Sequence, residues 1–216
     1  MSTPVTTKPH TLHPKPSNGF TLIEMFVVIS IITIISAVAL MSGGRFDSSV
    51  FLTDTAYEVS LAIREAQSYG INVRGETSFA GIFRTGYGVN FNTGANSEFK
   101  LFADKFLTNS DTGDGKFTSD EPVINTYRLK KGITISRICA KKSANNTKCS
   151  DDSGGISELS VVFTRPNPEP VIKSGTSSFC NPDGCESADI TLSHPNGQKK
   201  KVVVYNTGQI SVQSAQ

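Results

Sequence analysis

The segment from Phe20 to Met41 holds 22 residues and one charge, Glu24. As a helix rising ~1.5 Å per residue, a run of this length crosses the ~30 Å hydrocarbon core of a bilayer. Such a helix would divide the chain into a short N-terminal part and a long part on the other side. Glu24 is the anomaly. A charged side chain near the bilayer interior costs at least ~2.5–3.5 kcal/mol on insertion scales, and more when unpaired, so it calls for a partner. Cleavage between Gly19 and Phe20 would supply one: a new α-amino group four residues before Glu24, on the same helical face.

The stretch Gly19-Phe20-Thr21-Leu22-Ile23-Glu24, with the apolar run behind it, resembles the class III signal of type IV prepilins and type II secretion pseudopilins. The resemblance implies that a membrane prepilin peptidase cuts after Gly19 and methylates the new N-terminus, Phe20. It also implies that Glu24 makes the assembly contact, pairing with the N-terminus of a neighbouring subunit. The implied partners are that peptidase, other pilins or pseudopilins joined through the N-terminal helix, and the inner-membrane assembly machinery. An ordinary secretory signal is the competing reading, because Lys8 and Lys15 precede the apolar run and Ala37-Val38-Ala39 has the A-x-A form of its cleavage site. That reading leaves a secreted binding domain, and it has no use for an acid at the start of the run.

Residues 1–19 contain Lys8, Lys15 and four prolines but no acid, so they form neither a stable helix nor a core and read as a cytoplasmic leader. Basic residues before the span, with only Arg45 just beyond it, orient the leader inside and the C-terminal part outside. The expected location is a single pass of the inner (cytoplasmic) membrane with an exported domain, and a surface or periplasmic filament after assembly. Taking the leader's two lysines from the 21 basic residues leaves 19 against 19 acids, so the mature chain has no global field for nucleic acid. DNA contact has one local candidate, Lys199-Lys200-Lys201, and a solvated charge cluster before a strand explains that run equally well.

Beyond Met41 lie about 175 residues, enough for one domain with a real core. Its four cysteines, Cys139, Cys149, Cys180 and Cys185, are even in number and exported, which favours disulfides. Three pairings exist. The local one, Cys139 with Cys149 and Cys180 with Cys185, is expected because each short loop closes without distant segments meeting first. Zinc is the rival use, but no close C-x2-C pair is present and His194 is the only other ligand of the usual type in the domain.

Leu52, Ala56, Val59, Ile63 and Ala66 recur at spacings of four and three, one apolar stripe on a helix, with Asp54, Glu58, Arg64 and Glu65 off it. Gly70 is the expected C-terminal stop. Gly43-Gly44 weakens the helix between the two apolar segments, leaving one long helix or two as alternatives. Past Gly70 the period falls to two. Expected strands are Thr77–Arg84, Tyr87–Phe91, Phe99–Ala103, Val123–Arg128, Ile133–Cys139, Glu158–Thr164, Asp189–Ser193, Lys201–Tyr205 and Gln209–Val212, with loops at 104–121, 139–158 and the proline-rich 165–170. The fold class is α+β and pilin-like: a long N-terminal helix packed on a mainly antiparallel sheet. The expected divisions are a leader at 1–19, a transmembrane or filament-core helix at 20–42, its amphipathic continuation at 43–70 and a β-rich domain at 71–216.

Leu61-Ala62-Ile63-Arg64-Glu65-Ala66-Gln67-Ser68 resembles the helix end of the GspH/FimT group, and 201–212 resembles that group's final hairpin. This narrower resemblance implies a minor subunit that primes or tips a type IV or DNA-uptake pilus, or alternatively a GspH-like pseudopilin.

The segment 110–121, Ser-Asp-Thr-Gly-Asp-Gly-Lys-Phe-Thr-Ser-Asp-Glu, is the candidate metal site. With Gly115 at the sixth position of a calcium loop, Asp114 falls at the fifth and Glu121 at the twelfth, while Ser110 and Thr112 fail the first and third. Asp111, Asp114, Asp120 and Glu121 are the candidate calcium ligands. A turn whose side chains bond their own backbone accounts for the same composition with no cofactor. No nucleophile lies beside a base in a recognisable motif, and His194 reads as a turn residue, so an enzyme is not expected.

Overall fold

In the computed structural model the described residues are 19–72, 86–104, 113–175, 178–180 and 184–215, with backbone alone for 41–47. The leader and the expected strand Thr77–Arg84 lie outside them. The chain forms two compact units, residues 1–44 and 45–216. Helix α1 spans Leu22–Ile71, its apolar part in the first unit and its amphipathic part in the second.

In the first unit every side chain from Phe20 to Leu40 is exposed, and Leu22–Leu40 is long and apolar enough to cross a membrane. A helix apolar all round has no polar face to give water. Two of its hydroxyls bond back to the helix: Ser30 Oγ donates to the Phe26 carbonyl at 2.8 Å and Thr33 Oγ1 to the Ile29 carbonyl at 3.0 Å. Back-bonding of this kind leaves no donor of these two side chains unsatisfied in lipid.

The second unit carries ten strands among the described residues: β1 Gly86–Asn92, β2 Glu98–Asp104, β3 Val123–Arg128, β4 Thr134–Ser143, β5 Asn146–Cys149, β6 Glu158–Phe163, β7 Pro170–Ser174, β8 Ser187–Ser193, β9 Lys199–Tyr205 and β10 Ile210–Ser214. They make two five-stranded antiparallel sheets, in the orders β3-β2-β1-β6-β7 and β10-β9-β8-β4-β5. The stripe Leu52, Ala56, Val59, Ile63 and Ala66 is fully buried. It shares one core with Val89, Phe91, Leu101, Val161 and Phe163 of the first sheet and with Ile138, Ile190, Leu192, Val202 and Val204 of the second. Period-two alternation in the strands and the helical stripe thus meet in a common apolar layer.

Helix and first sheet are also tied by polar contacts. Tyr127 Oη donates to Glu65, which Tyr69 Oη also reaches. Gln67 Nε2 donates to the Pro168 carbonyl at 3.2 Å.

Three expectations need correction. Gly70 does not stop the helix, which continues to Ile71, and it is not among the residues with positive φ. It is buried against β6, where closeness of backbones is the reason for glycine. The expected loop at 139–158 is in part a hairpin, because β4 runs to Ser143 and pairs with β5. Part of the proline-rich region also belongs to a strand: Pro170 is the first residue of β7, an edge position where a missing N–H leaves no ladder bond unmade. Both added strands are short, lying between turn residues that hid their alternation.

Candidate functional site

The first site is the entry to α1. Gly19 and Phe20 precede the helix and are exposed. Thr21 caps it: the Glu24 N–H donates to Thr21 Oγ1 at 3.3 Å, and the Met25 N–H donates to the Thr21 carbonyl at 3.2 Å. A hydroxyl at this position satisfies one of the four amides left unpaired at a helix start, and an acid in the first turn sits at the positive end of the helix dipole. The sequence therefore sets Glu24 as the lone charge of the apolar, exposed stretch Phe20–Leu40, one turn from the Gly19/Phe20 bond. Ala37-Val38-Ala39 lies inside the helix, where a backbone is less available to an ordinary signal peptidase than an extended segment.

The second site is on the face of the first sheet turned away from α1. Lys100, Phe102 and Asp104 alternate onto that face from β2, beside Asn90 of β1 and Ser160 and Val162 of β6. Residues 113–121 run across it. The Gly115 N–H donates to Asp104 Oδ2 at 3.1 Å, the Phe117 N–H donates to Ser160 Oγ at 3.1 Å, and Lys173 Nζ of β7 donates to the Asp114 carbonyl at 3.0 Å. The Phe117 ring meets Phe102 edge-on, with centroids 5.1 Å apart. Gly115 has a φ of +74°, which suits glycine in this turn. A Cβ on Gly113 would stand 2.2 Å from the Asp104 carboxylate, so only glycine lets the segment pass there.

Asp104, Asp114 and Glu121 each bring a carboxylate oxygen within 4.8 Å of the others. Asp104 and Glu121 are buried, whereas Asp114 is more open to solvent. Glu121 Oε2 accepts from the Thr118 N–H at 2.8 Å, and Asp114 Oδ1 accepts from the Lys116 N–H at 2.9 Å. Burial above all, then the adjoining Glu121 carboxyl and the charge of Asp114, push the Asp104 pKa from 3.8 up to about 8, against the lowering effect of the Gly115 N–H.

Of the sequence candidates, Asp114 and Glu121 are brought together. Asp120 is exposed and accepts from Thr118 Oγ1 at 2.7 Å, outside the cluster, and Asp111 lies beyond the described residues. Asp104 was not among the candidates. Its only sequence signal is an acid closing an apolar strand ten residues before Asp114.

The four cysteines form two bridges, Cys139–Cys149 between paired positions of β4 and β5, and Cys180–Cys185. Lys199-Lys200-Lys201 opens β9, and Lys201 Nζ pairs with Asp189 Oδ2 at 3.0 Å, so part of its charge is met within the sheet. His194 is a turn residue whose Nδ1 accepts from the Asn196 N–H at 3.3 Å.

No curated protein and no solved structure matches the chain. Residues 14–40 match the family model of the Prokaryotic N-terminal methylation motif. The segment holding Gly19, Phe20 and Glu24 is thus a type IV pilin prepilin signal, and it leads into the exposed apolar part of α1.

Proposed function

We propose that the chain is a minor pilin-like structural subunit that primes or tips a type IV or DNA-uptake pilus. The observation that carries this reading is the prepilin signal running directly into an apolar helix whose described side chains are all exposed from Phe20 to Leu40. Such a stem is stable in lipid or against like stems, and in water it is not. Prepilin peptidase cuts after Gly19 and methylates Phe20. The assembly machinery then lifts the subunit from the membrane into a bundle of stems.

Apolar packing supplies most of the driving force there, and it is non-directional. The pair between Glu24 and a neighbour's α-amino group supplies register, since a buried charge left unpaired is strongly unfavourable. Support for a minor rather than a shaft subunit comes from the GspH/FimT resemblance of 61–68 and of 201–212, which fall near the C-terminal end of α1 and on the β9–β10 hairpin. The same resemblance supports a pseudopilin of type II secretion as the second reading.

Affinity purification of the tagged chain from its native host, followed by identification of co-assembled subunits, tests the proposal. Recovery with pilus subunits supports it, recovery with secretion pseudopilins supports the second reading, and recovery of a soluble monomer beginning at Leu40 overturns both.

A further inference from the structure

The end of β2 and residues 113–121 bring three acids to one point, and the most deeply buried of them is incompletely bonded. Asp104 is 1% exposed, and its Oδ1 meets no amide, hydroxyl or cationic donor: Oδ2 accepts from Gly115, and the other group against the carboxyl is a second acid, Glu121. A buried polar oxygen without a partner carries its full desolvation cost, and two further carboxylates nearby add like-charge repulsion. A bound cation removes both penalties at once. We propose that Asp104, Asp114 and Glu121 bind a calcium ion that pins residues 113–121 across the outer face of the first sheet.

The donor chemistry selects a hard cation. All three ligands are carboxylate oxygens, with no imidazole or thiolate in the cluster, which suits calcium or magnesium and disfavours zinc and copper. Two oxygens bound to one calcium at about 2.3–2.6 Å stand no more than ~5.2 Å apart, and the three found here lie within 4.8 Å. Magnesium, at about 2.0–2.1 Å with strict octahedral demands, is the competing hard cation, and the titration below separates the two. Asp114 faces solvent more than the other two, which gives the ion a way in and room for water ligands. Gly113 leaves room for the Asp104 carboxylate, which a Cβ there would displace. The Lys173 ammonium is engaged by the main-chain carbonyl of Asp114.

The site is independent of the filament reading, since all its ligands lie in the unit 45–216. Its consequence is local. Calcium would couple the β2–β3 crossing to β6 and β7, which residues 113–121 already touch through Ser160 and Lys173.

The test uses the full chain in detergent micelles, stripped with EGTA and titrated with calcium chloride. Calorimetric titration should give one ion per chain, and the thermal midpoint should rise by about 5–10 °C at a hundredfold excess over Kd. Asp114→Asn, at the open edge of the cluster, should keep the metal-free midpoint and lose at least tenfold in calcium affinity. Glu121→Gln should raise the metal-free midpoint by relieving repulsion while abolishing the calcium shift. No heat and no shift at 10 mM calcium in a folded chain would overturn the proposal, as would an undiminished shift in both variants. An equal shift with magnesium chloride would overturn the assignment to calcium.

Discussion

Gly70 of α1 lies directly against Phe163 of β6: a Cβ at Gly70 would stand 2.5 Å from the Phe163 carbonyl oxygen and 2.8 Å from its Cβ. Neither atom is the end of a flexible side chain, so helix and strand must part to admit a methyl group. Gly70→Ala should destabilise the unit 45–216 by about 1–3 kcal/mol, even though alanine is the better helix former. Thermal unfolding of the detergent-solubilised chain checks this, and a midpoint at or above wild type would show that the contact is looser than described.

The mature chain should begin at N-methylated Phe20. Mass spectrometry of the native protein gives the mass directly. Gly19→Val, which adds bulk at the scissile bond, should leave uncut precursor in the membrane. A mature start at Leu40 would instead favour ordinary secretion.

Glu24→Leu should be processed normally, because a neutral helix inserts in lipid at least as well as a charged one. Its recovery in filaments should fall severalfold, since the pairing that sets register is gone. Pull-down with a tagged neighbouring subunit measures it, and wild-type recovery would remove Glu24 from the assembly step.

Replacing Cys139 and Cys149 together by alanine should cost about 2–3 kcal/mol by chain-entropy arithmetic, and the same holds for Cys180 with Cys185. Non-reducing peptide mapping of the wild type should return those two links. A crossed link would contradict the β4–β5 pairing that sets Cys139 opposite Cys149.

Tyr127 bonds the helix through Glu65, and burial, followed by that bond, raises its phenol above 10.0. Because it ionises later in the folded chain than in the unfolded one, its contribution is whole below pH ~10 and disappears as pH climbs through the raised value. Tyr127→Phe should cost about 1 kcal/mol at neutral pH and flatten the alkaline fall in stability. A stability–pH curve parallel to wild type above pH 10 would show that another group governs that limb.

The amino-acid sequence by itself determined the elements whose signals are local. A charge-poor run fixes a span by length, six consecutive residues make a cleavage signal, and the spacing of Leu52, Ala56, Val59, Ile63 and Ala66 defines a buried stripe wherever the helix docks. Tertiary structure decided what depends on partners far along the chain. That ten strands divide into two sheets follows from which edges pair, as in β1 taking β6 on one side and β2 on the other. Strands β5 and β7 are short runs of mixed polarity that become strands only because a neighbour supplies their hydrogen bonds. Gly70 carried the spelling of a helix stop and turned out to mark a close crossing, since one residue type serves both needs. Asp104 was silent for the same reason. Its meaning comes from Asp114 and Glu121, ten and seventeen residues on, folding back over the sheet to leave its oxygen buried and unmatched.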